Sequence, residues 1–148
     1  MSEDPLRGFE AEHREALAEL AQLEEAALGL RAGGDTARHL DTAARVLRVL
    51  STAVRAHNEA EERALFPLLD DDPTVPVFVA EHRQLRALEE ELAAGLDSGS
   101  PQRVAGIALH IVDLLRAHIE REDLMLFPSA RAALGPEGLA EVARRLAH

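Results

Sequence analysis

The sequence predicts an all-α protein, an antiparallel up-down-up-down four-helix bundle with a short C-terminal helix. Three observations predict this fold. Residues that favour helices, above all Ala, Leu, Arg and Glu, dominate the composition, whereas aromatic residues make up 3% of it. Breaks that contain glycine or proline divide the chain into long segments. Each segment carries an apolar stripe at alternating three- and four-residue spacing, which is typical of a helix facing a core.

The breaks are short, and short connections make successive helices antiparallel neighbours. They lie near residues 33–34, 67–76, 97–101 and 128–135. The predicted bundle helices therefore cover about residues 5–31, 35–66, 73–96 and 101–127. We predict one domain over residues 1–148, with the bundle at about 5–128 and a C-terminal helix at about 136–147. That last helix should pack on the outside through Leu139, Val142 and Leu146.

Length and charge exclude several functions. A chain of 148 residues can bury a full core unaided, so a bound metal would serve function rather than folding. The formal charge of -11 argues against nucleic acid and anionic membrane surfaces as partners. The acidic N-terminal segment and the lack of any long apolar run predict neither a signal peptide nor a membrane span. We therefore expect a cytoplasmic protein.

A histidine interrupts the apolar stripe of every bundle helix, and in two helices a glutamate follows four residues later. These residues are His13, His57 with Glu61, His82, and His118 with Glu122. At about 1.5 Å of rise per residue, all four imidazoles of an antiparallel bundle lie roughly 12 to 14 Å from the same end. The His-x-x-x-Glu spacing places both side chains on one helix face, where a single cation can join them.

The chain also repeats itself. EHREALAEL around His13 resembles EHRQLRALEEEL around His82, and RAHNEAEERALFP around His57 resembles RAHIEREDLMLFP around His118. The four phenylalanines occupy repeat-equivalent positions: Phe9, Phe66, Phe78 and Phe127. We expect approximate twofold symmetry, for which a two-metal centre on the axis is a natural outcome.

The types of residue in this set favour a metal. A carboxylate in a core stripe needs a partner, because burying it unpaired costs several kcal/mol, and neither core face offers an arginine at that level. The chain has no cysteine, which excludes disulfides, iron–sulfur clusters and thiolate zinc sites. Imidazoles and carboxylates together suit Fe, Mn or Zn better than Ca or Mg. Six ligands leave open positions on two six-coordinate ions, for a bridging oxo or hydroxo group and an exchangeable ligand.

In these motifs the chain resembles the hemerythrin-like, or HHE cation-binding, domain family over about residues 9–128, including the LFP that closes each His-x-x-x-Glu helix. The resemblance implies a non-haem centre of two Fe ions, oxo- or hydroxo-bridged, with Glu61 and Glu122 as bridging carboxylates. The metal ligands that it implies are His13, His57, Glu61, His82, His118 and Glu122. A ferritin-like site needs the opposite order, Glu-x-x-His, with further helical glutamates.

One departure from the oxygen-carrying hemerythrins affects the expected function. Their third helix supplies a second histidine, whereas Phe78 and Arg86 stand four residues either side of His82. The resemblance then implies an additional open position on one iron, which favours binding or sensing of O2, NO or peroxide over reversible O2 carriage. A diiron oxidoreductase, peroxidase or NO-consuming enzyme, or an iron-handling protein, is the alternative. A homodimer or an unidentified signalling partner stays open.

The remaining histidines and acidic residues have simpler interpretations. We expect no metal at His39, His110 or His148, which lie near helix ends or on a flank. The acidic neighbours of the ligands are expected on solvated faces, although some can accept a hydrogen bond from an imidazole N–H. They are Glu12, Glu59, Glu81, Glu120 and Asp123.

Overall fold

The computed structural model describes residues 4–148 and confirms an all-α four-helix bundle. Helix α1 spans Leu6–Ala32, α3 spans Val75–Ser98, and α4 spans Pro101–Arg121 with a π-helical turn, Glu122–Leu126. Helix α2 changes type along its length: Thr36–Val49 is α-helical, Leu50–Val54 π-helical, Arg55–Ala60 α-helical, Glu61–Leu65 π-helical and Phe66–Leu69 a 3-10 turn. Helix α5 spans Phe127–Leu146.

Contacts between neighbouring helices run in opposite order along each pair. On α1 and α4, His13 meets Asp123 and Glu24 meets Arg116. The same reversal holds for α1 with α2 and for α2 with α3, in the pairs Glu12–His57, Glu19–Arg45, Ser51–Glu89 and Glu62–His82. The helices of these pairs are therefore antiparallel.

Helices α1 and α3 end in the same way. Gly33 (φ 81°) and Gly99 (φ 65°) adopt the left-handed conformation, which glycine reaches without steric cost. The amide of the next residue, Gly34 or Ser100, then donates to a carbonyl of the last helical turn. The twofold repeat thus extends to the helix ends, and equivalent residues of the two hairpins lie at equivalent depths.

The C-terminal region differs in part from the prediction. The break expected at Pro128 is absent: the helical backbone continues from the π-helical turn Glu122–Leu126 into α5, and the regular hydrogen-bond pattern is already altered beside the proline, since the Phe127 amide donates to the Glu122 carbonyl. The break expected at Gly135 is present: the backbone there is non-helical (φ 62°, ψ -175°), so α5 consists of two helical segments joined across a kink. Beyond the bend, Val142 is fully buried, and Leu139 and Leu146 pack against the same apolar cluster. The predicted packing of this segment is confirmed.

The buried apolar side chains form two clusters, one on either side of a polar layer. The larger cluster takes Ala16 to Leu30 from α1 and continues toward the Gly33 end of the bundle. The smaller cluster begins with Leu6 and Phe9 and includes Phe127 and Val142 at the other end. On every bundle helix the histidine lies between the two clusters, so the polar layer is enclosed above and below by apolar side chains.

Candidate metal centre

The structure brings all six candidate residues together in two clusters of possible metal-binding side chains. One cluster consists of His13, His57, Glu61 and Glu122, and the other of Glu61, His82, His118 and Glu122. Within each cluster the ligand atoms lie within 4.8 Å of one another, and every member is buried. Glu61 and Glu122 belong to both clusters, so these two carboxylates join the two histidine pairs.

Each shared carboxylate turns one oxygen toward each histidine pair. For Glu61, Oε2 lies 3.4 Å from Nε2 of His57, and Oε1 lies 3.4 Å from Nε2 of His82. For Glu122, Oε1 lies 3.0 Å from Nε2 of His13, and Oε2 lies 3.4 Å from Nε2 of His118. This is the arrangement of two carboxylates that bridge neighbouring cations.

These distances fit cation binding. An ion that binds imidazole nitrogen and carboxylate oxygen at about 2.1 Å places adjacent donors about 3.0 Å apart and opposite donors about 4.2 Å apart. All four carboxylate oxygens of Glu61 and Glu122 are buried and form no well-formed hydrogen bond to another residue of 4–148. The same is true of the Nε2 atoms of His82 and His118. Buried polar atoms are rarely left in this way, and a cation is the partner that suits all of them.

The two carboxylates titrate differently. Burial raises the pKa of Glu61 well above its usual value, and the nearby Glu122 carboxylate raises it further. Burial acts in the same direction on Glu122, but contacts with the His118 and His13 imidazoles outweigh it and lower the pKa of Glu122. Cations between the clusters would favour the ionised form of both carboxylates.

A carboxylate holds the outer nitrogen, Nδ1, of each of the four imidazoles. The oxygen-to-Nδ1 distances are between 2.7 and 2.8 Å. The pairs are Asp123 with His13, Glu12 with His57, Glu62 with His82, and Glu81 with His118. An Nδ1–H that donates to a carboxylate fixes the tautomer in which the Nε2 lone pair faces the cluster, and it makes that nitrogen a better metal ligand.

A phenylalanine packs against each imidazole. Phe127 is stacked on His13 at 5.5 Å between ring centroids, and Phe66 on His82 at 5.9 Å. The remaining two contacts are edge-to-face, Phe9 with His57 at 5.0 Å and Phe78 with His118 at 5.1 Å. All four phenylalanines of the chain therefore fix ring orientation at this layer and close it toward the smaller apolar cluster.

The two shared glutamates each begin a π-helical turn. Glu61 begins Glu61–Leu65 in α2, and Glu122 begins Glu122–Leu126 in α4. π-Helical turns are rare and are often found at functional sites. Their appearance at the same residue of both repeats supports a role for this backbone geometry in aiming the carboxylates.

Three of the acidic neighbours accept the imidazole contact that the sequence analysis allowed for some of them, and Glu12 is also exposed, as expected. Glu12, Glu81 and Asp123 contact imidazoles, as does Glu62, which sequence reasoning missed. The sequence did contain a signal for Glu62, because an acidic residue directly follows the glutamate of the His-x-x-x-Glu motif in both repeats, at positions 62 and 123. By contrast, Glu59 pairs with the exposed Arg86, and Glu120 is exposed.

The other three histidines lie outside both clusters. His39 is buried beside Gly29, and His110 and His148 are exposed.

The candidate metal ligands are divided between the two clusters more evenly than the comparison with the oxygen-carrying hemerythrins predicts. Helix α1 gives only His13 to one cluster, and α3 gives only His82 to the other. Each cluster thus has two imidazoles and shares both carboxylates, so an extra open position on one ion alone does not follow. The surroundings of the two sides differ more, because a cavity of about 280 Å³ adjoins both imidazoles of one cluster, His13 and His57, but only His118 of the other.

Paired His/Glu clusters inside a helical bundle place this protein in the class of cation-binding helical bundles. The chain belongs to the hemerythrin family, since the profile of the hemerythrin HHE cation binding domain matches residues 4–145. It is therefore a cation-binding, hemerythrin-like protein. No curated protein and no solved structure matches the chain. Within residues 4–148, no helix has the length and hydropathy needed to cross a membrane.

Proposed function

We propose that this protein holds two iron ions at the paired clusters and binds or senses a small ligand, O2, NO or peroxide, at an open iron position. One observation carries the proposal. Glu61 and Glu122 each face both histidine pairs, and their four oxygens are buried without a well-formed hydrogen bond to another residue of 4–148. Structural packing alone gives no reason to bury two adjacent carboxylates in this way.

The ligand roles follow from the two clusters. In this proposal His13 and His57 hold one ion, His82 and His118 hold the other, and Glu61 and Glu122 bridge them. Each ion then has four protein donors, and a six-coordinate ion keeps positions for other ligands. Iron supplies a redox-active pair with exchangeable coordination positions when it is bound.

The surrounding residues have supporting roles. The carboxylates of Glu12, Glu62, Glu81 and Asp123 hold the imidazoles in the metal-binding tautomer. The phenylalanines exclude water from the side of the smaller apolar cluster. A rigid, dry wall on one side directs an incoming ligand to the other side of the polar layer, where the cavity adjoins His13 and His57.

Metal analysis tests this proposal. We expect the aerobically purified full chain to contain two Fe per chain and to show the near-ultraviolet charge-transfer bands of a coupled diferric pair. Glu122→Gln should lose both the iron and the bands, while His110→Ala, which changes an exposed histidine outside the clusters, should keep both. A protein that stays metal-free or holds only zinc contradicts the proposal.

A diiron oxidoreductase is the second candidate, and the cavity beside His13 and His57 favours it, because 280 Å³ exceeds what a diatomic ligand needs. Turnover distinguishes the two functions. A binding or sensing protein takes up a stoichiometric amount of NO or peroxide, whereas an enzyme supplied with a reductant continues to consume peroxide or NO.

A further inference from the structure

We propose that the cavity between α1, α2 and α4 is a binding site for a small uncharged organic molecule with an apolar body and a hydroxyl or hydroperoxyl head, R–OH or R–OOH. The cavity measures about 280 Å³. Apolar cavities of about 150 Å³ are large enough to hold benzene. The part that this site would play in activity rests on the proposed function, but its ability to bind such a molecule does not.

Most of the cavity wall is apolar. Six of the thirteen lining residues form this apolar part: Ala16, Val49, Ala53, Val54, Leu115 and Ile119. His13, His57 and His118 also line the cavity, so a molecule within it would lie against the polar layer. A wall of this kind favours a hydrocarbon body, because each apolar contact removes surface from water.

The cavity depends on two alanines whose repeat-equivalent residues are leucines. Ala16 follows His13 by three residues, and Leu85 follows His82 by three. Likewise, Ala53 precedes His57 by four residues, and Leu114 precedes His118 by four. Leu85 is 2% exposed and Leu114 packs against the same core cluster, so leucine side chains fill the corresponding volume in the other half. The repeat thus departs from symmetry where a small molecule would enter.

The position of Asn58 indicates that a molecule bound in the cavity has a polar head group. Asn58 lines the cavity and is only 7% exposed, so its side-chain amide is available within a largely buried wall. The repeat-equivalent residue is the apolar Ile119. An amide offers both donors and an acceptor, and a hydroxyl or hydroperoxyl group can use either kind of hydrogen bond.

Acidic residues at the rim of the cavity disfavour anionic ligands. Glu12, Glu15 and Glu19 line the cavity on its α1 side, and the two shared carboxylates lie beyond the histidines. Glu12 is paired with His57 and Glu19 with Arg45, while Glu15 is exposed. In the metal-free protein, a carboxylate or phosphate group on the ligand would meet negative potential from both directions. An uncharged ligand therefore fits the site better than its anionic counterpart.

Titration of the full chain with benzyl alcohol, followed by NMR, tests the proposal. We expect saturable shifts at the methyl groups of Ala16 and Ala53 and at the Asn58 side-chain amide, with or without bound metal. Benzoate, which has the same ring with a carboxylate, should give no saturable shift at these positions in the metal-free protein, where no cation attracts the carboxylate. Absence of saturation by benzyl alcohol, or equal affinity for benzoate in the metal-free protein, overturns the proposal.

Matched variants locate the site. Ala53→Leu should weaken benzyl alcohol binding by about tenfold or more, whereas Leu114→Ala should leave it unchanged. Ala53 is exposed at the cavity mouth, so its replacement by leucine should not prevent folding. Asn58→Leu should weaken benzyl alcohol by about three- to tenfold but leave benzene unaffected, because only the alcohol offers a hydrogen bond. Unchanged affinity in Ala53→Leu overturns the proposal.

The outcome is independent of the iron centre. Iron-loaded protein that fails to bind benzyl alcohol contradicts the cavity site and leaves the diiron function in place. Metal-free protein that binds benzyl alcohol supports the cavity site even if iron analysis contradicts the diiron function.

Discussion

The Nε2 atoms of His13 and His57 lie 3.1 Å apart in the interior of the bundle. The other nitrogen of each ring contacts a carboxylate, Asp123 for His13 and Glu12 for His57. If both Nδ1 atoms carry the hydrogen that those contacts favour, the two Nε2 lone pairs face each other with no proton between them. A cation bound by both nitrogens turns this repulsion into attraction, which is why we regard the pair as a metal-binding unit.

Removal of a shared carboxylate should abolish metal binding and preserve the fold. We expect Glu61→Ala to lose the metal and to keep most of its helical content, because the two apolar clusters do not depend on the ion. His57→Ala should behave in the same way. Metal analysis and circular dichroism of the same samples check this, and complete unfolding of either metal-free variant contradicts it.

Replacement of Glu61 by an uncharged residue should stabilise the metal-free protein. Burial raises the pKa of Glu61, which means that the folded state disfavours its ionised form. We therefore expect metal-free Glu61→Gln to unfold at a higher temperature than the metal-free parent at pH values where Glu61 is ionised. Added metal should reverse the order, since only the parent gains stability from binding. Thermal unfolding with and without metal measures both effects.

Metal binding should release a proton from Glu61. Its pKa is raised in the metal-free protein, and a cation binds the ionised carboxylate, so affinity should increase as the pH rises toward that raised pKa and then level off. Glu122, whose pKa is lowered, should contribute little to this dependence. Calorimetric titration in two buffers of different ionisation enthalpy counts the protons. Binding without proton release would show that Glu61 is already ionised.

Loss of an outer carboxylate should weaken the metal site without removing a ligand. Glu62→Gln leaves His82 in place but replaces the carboxylate that lies 2.7 Å from its Nδ1. We expect metal affinity to fall by about 10- to 100-fold. Glu59→Gln is the matched control, because Glu59 pairs with Arg86 and contacts no imidazole. Equal affinities for the two variants, measured by competition with a chelator, would be evidence against the role given to Glu62.

Phe127 should contribute strongly to stability. It is fully buried and stacks on both His13 and Phe9. We expect Phe127→Ala to lower the free energy of unfolding of the metal-free protein by roughly 3 to 5 kcal/mol. Met125→Ala, at a residue that is 61% exposed, should change it by less than about 0.5 kcal/mol. Urea unfolding compares them, and similar values for both variants contradict the assigned packing.

Helical periodicity and the internal repeat were enough to predict the bundle and the position of the central side chains. A histidine in an apolar stripe has a fixed depth and a fixed direction, so His13 and His82 could be placed at one level before the fold was known. Glu62 could not be placed in this way. Its helix position is exposed, and periodicity indicates which face a residue occupies but not how far its side chain reaches across to His82.

Two other features needed three-dimensional information. Pro128 looks like a helix break in the sequence, but the backbone is helical both before it, in the π-helical turn Glu122–Leu126, and after it in α5. The cavity depends on Ala16 and Ala53, which are ordinary small residues of two different helices. Their combined effect on packing is visible only when the helices are docked.

Anomalous diffraction at the iron edge from crystals of the aerobically purified protein tests the central claim most directly. We expect two peaks, one beside Nε2 of His13 and His57 and one beside Nε2 of His82 and His118, with the carboxylates of Glu61 and Glu122 between them. The absence of any peak, a single peak, or a signal only at the zinc edge would contradict a diiron centre at this site.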